Sequence, residues 1–147
     1  MLLITIQEDL KQAQFDREEV KISTLRLLLS EIHNVQIAKG QELSDQDVIS
    51  IIQKETKRRS EAASGFRSGG REEQALKEEQ ELKILEGYLP AQLSTEELTN
   101  IVQQAINEIG ATSLQDMGKV MGKVMGKVKG QADGNVVSGI VRGKLTP

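Results

Sequence analysis

The sequence predicts an all-α protein built from two helical domains. No segment alternates apolar and polar residues with the period of two that marks a strand. Apolar residues instead recur at intervals of three and four, as on one face of a helix. Pro90 divides this pattern, since a proline disfavours helical geometry in the residue before it. We therefore predict about four helices in an N-terminal helical domain (1–89), joined by an ordered Pro-containing segment to a small C-terminal three-helix domain (90–147).

Four helices account for the N-terminal domain. The first is expected at about 2–13 and the second at about 17–39. The second helix ends before Gly40, a residue suited to the left-handed conformation that follows many helices. A third helix follows Ser44, whose side chain can cap it. The fourth covers about 71–87, and we expect its heavily charged part, from Glu72 to Glu81, to face solvent.

The third helix carries two groups of charged side chains. Glu55 and Arg59 fall within its apolar face, four residues apart. Such a pair forms an ion pair along one helix by default, and it can also fix how two helices dock. Lys54, Lys57 and Arg58 point elsewhere and form a secondary basic patch. This patch is either a solvated surface or a minor binding site.

Three helices account for the C-terminal domain. Ser94 and Glu97 have the spacing of a capping box, in which each side chain bonds to the backbone of the other residue. The helix that they begin is expected to end at Gly110. Ser113 precedes a second helix, and the caps in 132–135 precede the last one.

The second of these helices contains the only internal repeat, Met-Gly-Lys-Val three times over. A period of four is close to the 3.6 residues of a helical turn, so each repeat position advances by about 40°. Met and Val then share an apolar arc of about 140°, which we expect to face the core. The glycines and the lysines fill two separate neighbouring sectors. The glycines are Gly118, Gly122 and Gly126, and the lysines are Lys119, Lys123 and Lys127.

The glycine and lysine sectors each allow two interpretations. Three interior glycines cost a helix about 3 kcal/mol against alanine. Either another helix packs closely on them, or the backbone of a polyanion approaches there. The lysines either form a solvated face or bind that polyanion. From residue 110 onward six basic and two acidic residues give a net charge of +4, whereas the whole chain has −3. The RNA-binding candidates are Lys119, Lys123, Lys127, Lys129, Arg142 and Lys144, with the three glycines permitting close approach.

Composition argues against several classes of site. The chain has no cysteine, and its one histidine, His33, is not accompanied by other strong zinc ligands. Only Phe15, Phe66 and Tyr88 are aromatic, too few for a base-stacking platform. No apolar run could span a bilayer, and the first residues do not resemble a signal peptide, so a cytoplasmic protein is expected. We find no catalytic constellation and expect neither a metal nor another cofactor.

Several motifs resemble those of the YqeY-like family in order and spacing. They are 21–29 (Lys-Ile-Ser-Thr-Leu-Arg-Leu-Leu-Leu), Gly40 with 43–45, 54–55 with 57–59, 88–90 with 92–93, 117–121, and 129–130 with 132–134. That family is similar to the C-terminal tail of the GatB subunit in the glutamine-dependent aspartyl/glutamyl-tRNA amidotransferase. The resemblance implies a helical N-terminal domain and a three-helix C-terminal domain. The chain departs from the family pattern at 122–127, where the Met-Gly-Lys-Val unit is repeated.

The resemblance also implies a role. In the amidotransferase the tail holds tRNA while other domains perform the chemistry. The family label of a carbon–nitrogen ligase with glutamine as amide donor describes that larger enzyme. We therefore expect a non-catalytic module that binds tRNA or another structured RNA. The alternatives are a protein-interaction adaptor and an accessory factor in glutamine-dependent amide transfer.

Overall fold

A computed structural model describes residues 1–147 and confirms the all-α class. Seven α-helices and one short 3-10 turn are present, without any strand. The helices divide into two compact units, Met1–Leu89 and Pro90–Pro147. The N-terminal unit contains α1 (Leu2–Asp16), α2 (Glu19–Lys39), α3 (Asp45–Ser68) and α4 (Glu72–Glu86), and the C-terminal unit contains α5 (Thr95–Ile109), α6 (Met117–Lys127) and α7 (Gly134–Leu145). None of these helices combines the length and apolar character needed to cross a membrane.

The helix ends follow local sequence signals in most places. Ser44 with Asp47 and Ser94 with Glu97 form complete capping boxes at the starts of α3 and α5. Gly40, with a φ of 69°, ends α2 in the left-handed conformation. The boundary between α1 and α2 differs from the prediction, because α1 continues to Asp16. It is closed by the left-handed Arg17, with a φ of 58°. A non-glycine residue seldom adopts this conformation, so the sequence carried no signal for it.

The core of the N-terminal unit is formed by all four of its helices. Its buried members are Ile6, Leu25, Leu28, Ile32, Val48, Ile51, Ile52 and Leu85. The hydroxyl of Tyr88, beyond the end of α4, donates to Asp9 of α1 at 2.6 Å. Burial and this hydrogen bond to a carboxylate raise the pKa of Tyr88. The Tyr88 hydroxyl therefore stays protonated near neutral pH, and its hydrogen bond links the end of α4 to α1.

The helices α3 and α4 form an antiparallel hairpin whose far end lies outside this core. Small buried residues, Ala63 and Ala75, occupy that end. Arg59 bonds to Glu78 and Glu81 of α4, and Glu55 bonds to Arg58. The expected pair along α3 is thus replaced by a contact between two helices.

One expectation for the fourth helix is wrong. Its charged part, from Glu72 to Glu81, was expected to face solvent, yet Glu81 is buried. The antiparallel docking of α3 places the Arg59 guanidinium directly against it. A buried carboxylate is tolerated there because a cation supplies its hydrogen bond.

The core of the C-terminal unit joins α5, α6, α7 and the turn before α7. Its buried members are Leu98, Val102, Ala105, Ile106, Val120, Val124, Val128, Ala132, Val137, Val141 and Leu145. The segment before α5 is attached to that turn. The backbone N–H of Leu93 donates to the carbonyl of Gln131, and the Gln92 side chain donates to the carbonyl of Gly130, both at 2.9 Å.

Candidate nucleic-acid interface

The helix α6 carries the repeat and shows three faces, as its period predicts. The apolar arc faces the core of the C-terminal unit, which confirms that prediction. Val120, Val124 and Val128 are fully buried, and Met117, Met121 and Met125 pack partly buried against the same core. Both α5 and α7 pack on α6. Within the C-terminal unit, no further α-helix packs on the rest of α6.

The glycine face of α6 is open. Gly118, Gly122 and Gly126 are exposed, and a Cβ added to any of them would meet nothing within 4 Å. The interpretation that another helix of this chain packs on the glycines is therefore wrong. The physical reason is that α5 and α7 share the apolar arc, so neither reaches the glycine sector. A strip of bare helical backbone remains, which a ligand can approach more closely than it could approach side chains.

The lysine face is partly neutralised from within the chain. Glu108, in the last turn of α5, forms an ion pair with Lys123, and Lys127 Nζ lies 4.0 Å from the same Glu108 oxygen. The hydrogen bond from Lys123, followed by the charges of both lysines, lowers the pKa of Glu108. Lys119 is exposed and lies near Asp116, whose pKa its charge helps to lower. The structure thus brings two of the three repeat lysines together around one carboxylate.

Sequence reasoning missed Glu108 as part of this face. It lies on a different helix, 15 positions before Lys123, so no spacing rule connects them. One signal was available. A carboxylate in the last turn of a helix faces the negative end of the helix dipole, an unfavourable position unless a cation lies nearby.

The other basic candidates of the C-terminal unit come from two further segments. Lys129 is exposed in the turn that follows α6. Arg142 and Lys144 are exposed in the last turn of α7, where positive charge suits the helix dipole. The structure gives these three residues no shared partner with the lysines of α6, and their joint role in one site stays a prediction.

The secondary basic patch lies on α3, in the N-terminal unit. Lys54, Lys57 and Arg58 are all exposed. Arg58 forms an ion pair with Glu55 at 3.1 Å, and Lys57 also interacts within the chain. Part of this patch is thus already balanced by neighbouring groups.

The start of the repeat helix should respond to acid through Asp116. This carboxylate accepts from the backbone N–H groups of Thr112 and Ser113, at 3.0 and 3.4 Å, and these bonds lower its pKa below the usual 3.8. A lowered pKa means that the unfolded chain takes up the proton first as the pH falls. The stability contributed by Asp116 is therefore complete above pH 3.8 and is lost as the pH falls through its folded value.

An Asp116→Asn variant tests this expectation, because the amide can accept the same hydrogen bonds and does not titrate. Thermal unfolding followed by circular dichroism should show a smaller loss of midpoint temperature between neutral pH and acid for the variant than for the wild type. Equal losses in the two proteins would contradict the assignment.

Comparison with known proteins identifies the family. The sequence model described as "Yqey-like protein" matches residues 4–145. The chain belongs to the YqeY-like family. The match confirms the resemblance drawn from the motifs. It covers nearly the whole of this YqeY-like protein.

The YqeY-like chain also resembles curated fungal proteins. It is 32% identical over 110 residues to the "Altered inheritance of mitochondria protein 41, mitochondrial" of Vanderwaltozyma polyspora, covering 73% of this chain and 60% of that protein. The protein of the same name in Pyrenophora tritici-repentis is 30% identical over 117 residues, covering 80% and 61%. An uncharacterised protein of Schizosaccharomyces pombe is 31% identical over 93 residues, covering 63% and 76%.

The two relatives that carry a mitochondrial name are longer than this chain. The YqeY-like chain spans about three-fifths of the length of the two mitochondrial relatives. The names of those relatives give a mitochondrial location for them. The cytoplasmic location expected for this chain stays a prediction.

Proposed function

We propose that this YqeY-like protein is a non-catalytic helical module that binds tRNA or another structured RNA through the basic and glycine faces of α6. The observation that carries the proposal is the open glycine strip beside a row of lysines. Three exposed helical glycines cost up to about 3 kcal/mol, and no neighbour within the chain accounts for that cost. A ligand whose backbone approaches α6 closely does account for it.

The lysines beside the glycine strip favour RNA as that ligand. Structured RNA is recognised mainly through shape, phosphates and 2′-hydroxyl groups, which requires cations and close approach rather than aromatic side chains. Lysines line one edge of the glycine strip, and the chain from residue 110 onward carries a net charge of +4 from six basic and two acidic residues. The choice of tRNA comes from the resemblance to the amidotransferase tail, and the proposal assumes a cytoplasmic protein without amide-transfer activity of its own.

Replacing Lys119, Lys123 and Lys127 together with alanine should weaken tRNA binding. Each phosphate contact releases counterions, so the slope of log affinity against log salt should become shallower by about 2 units. Filter binding or fluorescence anisotropy over a range of salt measures this slope. A matched control removes three exposed lysines of the N-terminal unit, Lys11, Lys77 and Lys83, and should leave the slope unchanged.

The outcome that contradicts the proposal is an unchanged salt slope and affinity in the α6 variant. Alanine is the best helix former, so this variant should keep its fold, and circular dichroism checks that it does. Glutaminase and amide-transfer assays on the isolated chain, with tRNA and ATP present, should give no product.

A second candidate function is a protein-interaction adaptor. Two large apolar side chains of the N-terminal unit favour it, because Phe15 and Leu27 expose 83% and 57% of their surface. Exposed apolar surface of this kind can mark a site where another protein binds. Loss of a stoichiometric, nuclease-resistant partner on Phe15→Ser or Leu27→Ser substitution would favour this candidate over RNA binding.

A further inference from the structure

Glu108 occupies a position that local helix chemistry does not favour. It is the second-last residue of α5, whose last turn contains no basic residue. The negative end of the helix dipole disfavours a carboxylate there. The negative charge of Glu108 is instead balanced by two lysines of α6, Lys123 and Lys127. Gln104 Nε2 donates to the other carboxylate oxygen at 3.3 Å, so both oxygens of Glu108 have partners.

The ion pair is exposed to solvent and open to exchange. The side chains of Lys123, Lys127 and Glu108 remain 37%, 42% and 39% exposed. Exposed pairs of this kind contribute little to stability and are screened by salt. A competing anion can therefore reach both lysines without unfolding any part of the unit.

The pairing also sets the direction of the two ammonium groups. On the helix wheel Lys123 and Lys127 lie about 60° and 100° beyond the last glycine, toward α5. Their bond to Glu108 draws them to α5 and away from the glycine strip. Lys119 lies only about 20° from Gly126 in projection and takes no part in the pair with Glu108.

We infer that Glu108 is a built-in competitor for RNA phosphate, and this inference rests on the proposed function. In the free protein its carboxylate occupies Lys123 and Lys127. Bound RNA displaces it with phosphate groups, and the lysines turn toward the glycine strip. Glu108 thereby limits affinity, and it selects ligands that present enough closely spaced negative charge to replace a carboxylate. The chemical class so selected is compact, phosphate-dense RNA.

The test compares Glu108→Gln with Glu96→Gln in the full chain, with unfractionated tRNA as the probe. Glutamine keeps the size and hydrogen-bonding capacity of Glu108 and removes only its charge. Glu96 lies exposed in the first turn of the same helix, so its replacement changes the net charge equally. We expect Glu108→Gln to bind roughly threefold to tenfold more tightly than the wild type, with a steeper salt slope. Glu96→Gln should change affinity by much less.

A double-mutant cycle separates release of the lysines from a general charge effect. In a Lys123→Ala, Lys127→Ala background, Glu108→Gln should produce no gain beyond that of Glu96→Gln. Equal effects of the two single variants, or a gain that persists in this background, would overturn the inference.

The same measurements keep the two proposals apart. If the wild type binds tRNA and loses affinity when the α6 lysines are removed, yet Glu108→Gln matches Glu96→Gln, RNA binding stands and the competitor role fails. If the wild type does not bind tRNA at all, the proposed function fails and the inference fails with it.

Discussion

Replacing Gly118, Gly122 and Gly126 together with alanine is expected to raise the stability of the C-terminal unit by up to about 3 kcal/mol while lowering its affinity for tRNA. The gain follows from helix propensity, because all three glycines belong to α6 and a Cβ at each would meet open space. Gly122 is interior and contributes most, whereas Gly118 and Gly126 lie in the first and last turns. The loss of affinity follows from the proposed function, since three methyl groups would cover the backbone strip that RNA approaches.

Hydrogen exchange of the amides in α5, α6 and α7 measures the stability of this unit separately from the rest of the chain. Gly65→Ala provides the matched control. This glycine lies inside α3 of the N-terminal unit, and it too has open space where a Cβ would stand. The control should stabilise the N-terminal unit by about 1 kcal/mol and leave tRNA affinity unchanged. A stabilised triple variant that binds tRNA as well as the wild type does would show that RNA does not contact the strip.

Replacing Arg59 with methionine is expected to destabilise the N-terminal unit by about 3 kcal/mol. The side chains of Arg59 and Glu81 are only 12% and 7% exposed, so the substitution leaves a buried carboxylate without its cation. Replacing both, as Arg59→Met with Glu81→Leu, should restore most of the loss, because neither charge then needs compensation. Arg59 Nε is itself buried without a hydrogen-bond partner, and the double replacement removes that cost as well.

Urea unfolding followed by circular dichroism, together with hydrogen exchange of α3 and α4, measures both variants. Arg58→Met is the control, because Arg58 forms an exposed pair with Glu55 on the same helix. It should cost less than about 1 kcal/mol. If Arg59→Met lowers the free energy of unfolding no more than Arg58→Met does, the contact between Arg59 and Glu81 does not stabilise the α3–α4 hairpin.

The parts of the fold that depend on neighbouring residues could be predicted from the sequence. The backbone N–H of Glu97 donates to the Ser94 hydroxyl at 3.1 Å, and the backbone N–H of Ser94 donates to the Glu97 carboxylate at 2.8 Å. The separation of three positions between the two residues was enough to predict both bonds. The Met and Val arc of α6 followed from the repeat period alone. By contrast, Arg59 was expected either to pair along its own helix or to fix how two helices dock. Nothing in the sequence pointed to Glu81 as its partner, because only the docking of α3 on α4 brings the two together.

The candidate site shows the same division between local and tertiary information. The period of α6 establishes that glycines and lysines form separate faces, but it does not determine which face the neighbouring helices leave open. That depends on both α5 and α7 packing on one arc. The pairing of Lys123 with Glu108 likewise depends on where α5 ends relative to α6. Whether the basic residues bind RNA remains a prediction, which the lysine and glycine variants address.

The three faces of α6 also limit how the repeat can change in length. Adding or removing one four-residue unit would change the length of the helix by about 6 Å and rotate its end by about 40°. A fourth unit would place its methionine about 120° from the first, inside the glycine sector and away from the core. Losing a unit would remove one of the valines that α5 and α7 bury. The packing of α5 and α7 on the apolar arc of α6 therefore suits three copies of the unit better than two or four copies.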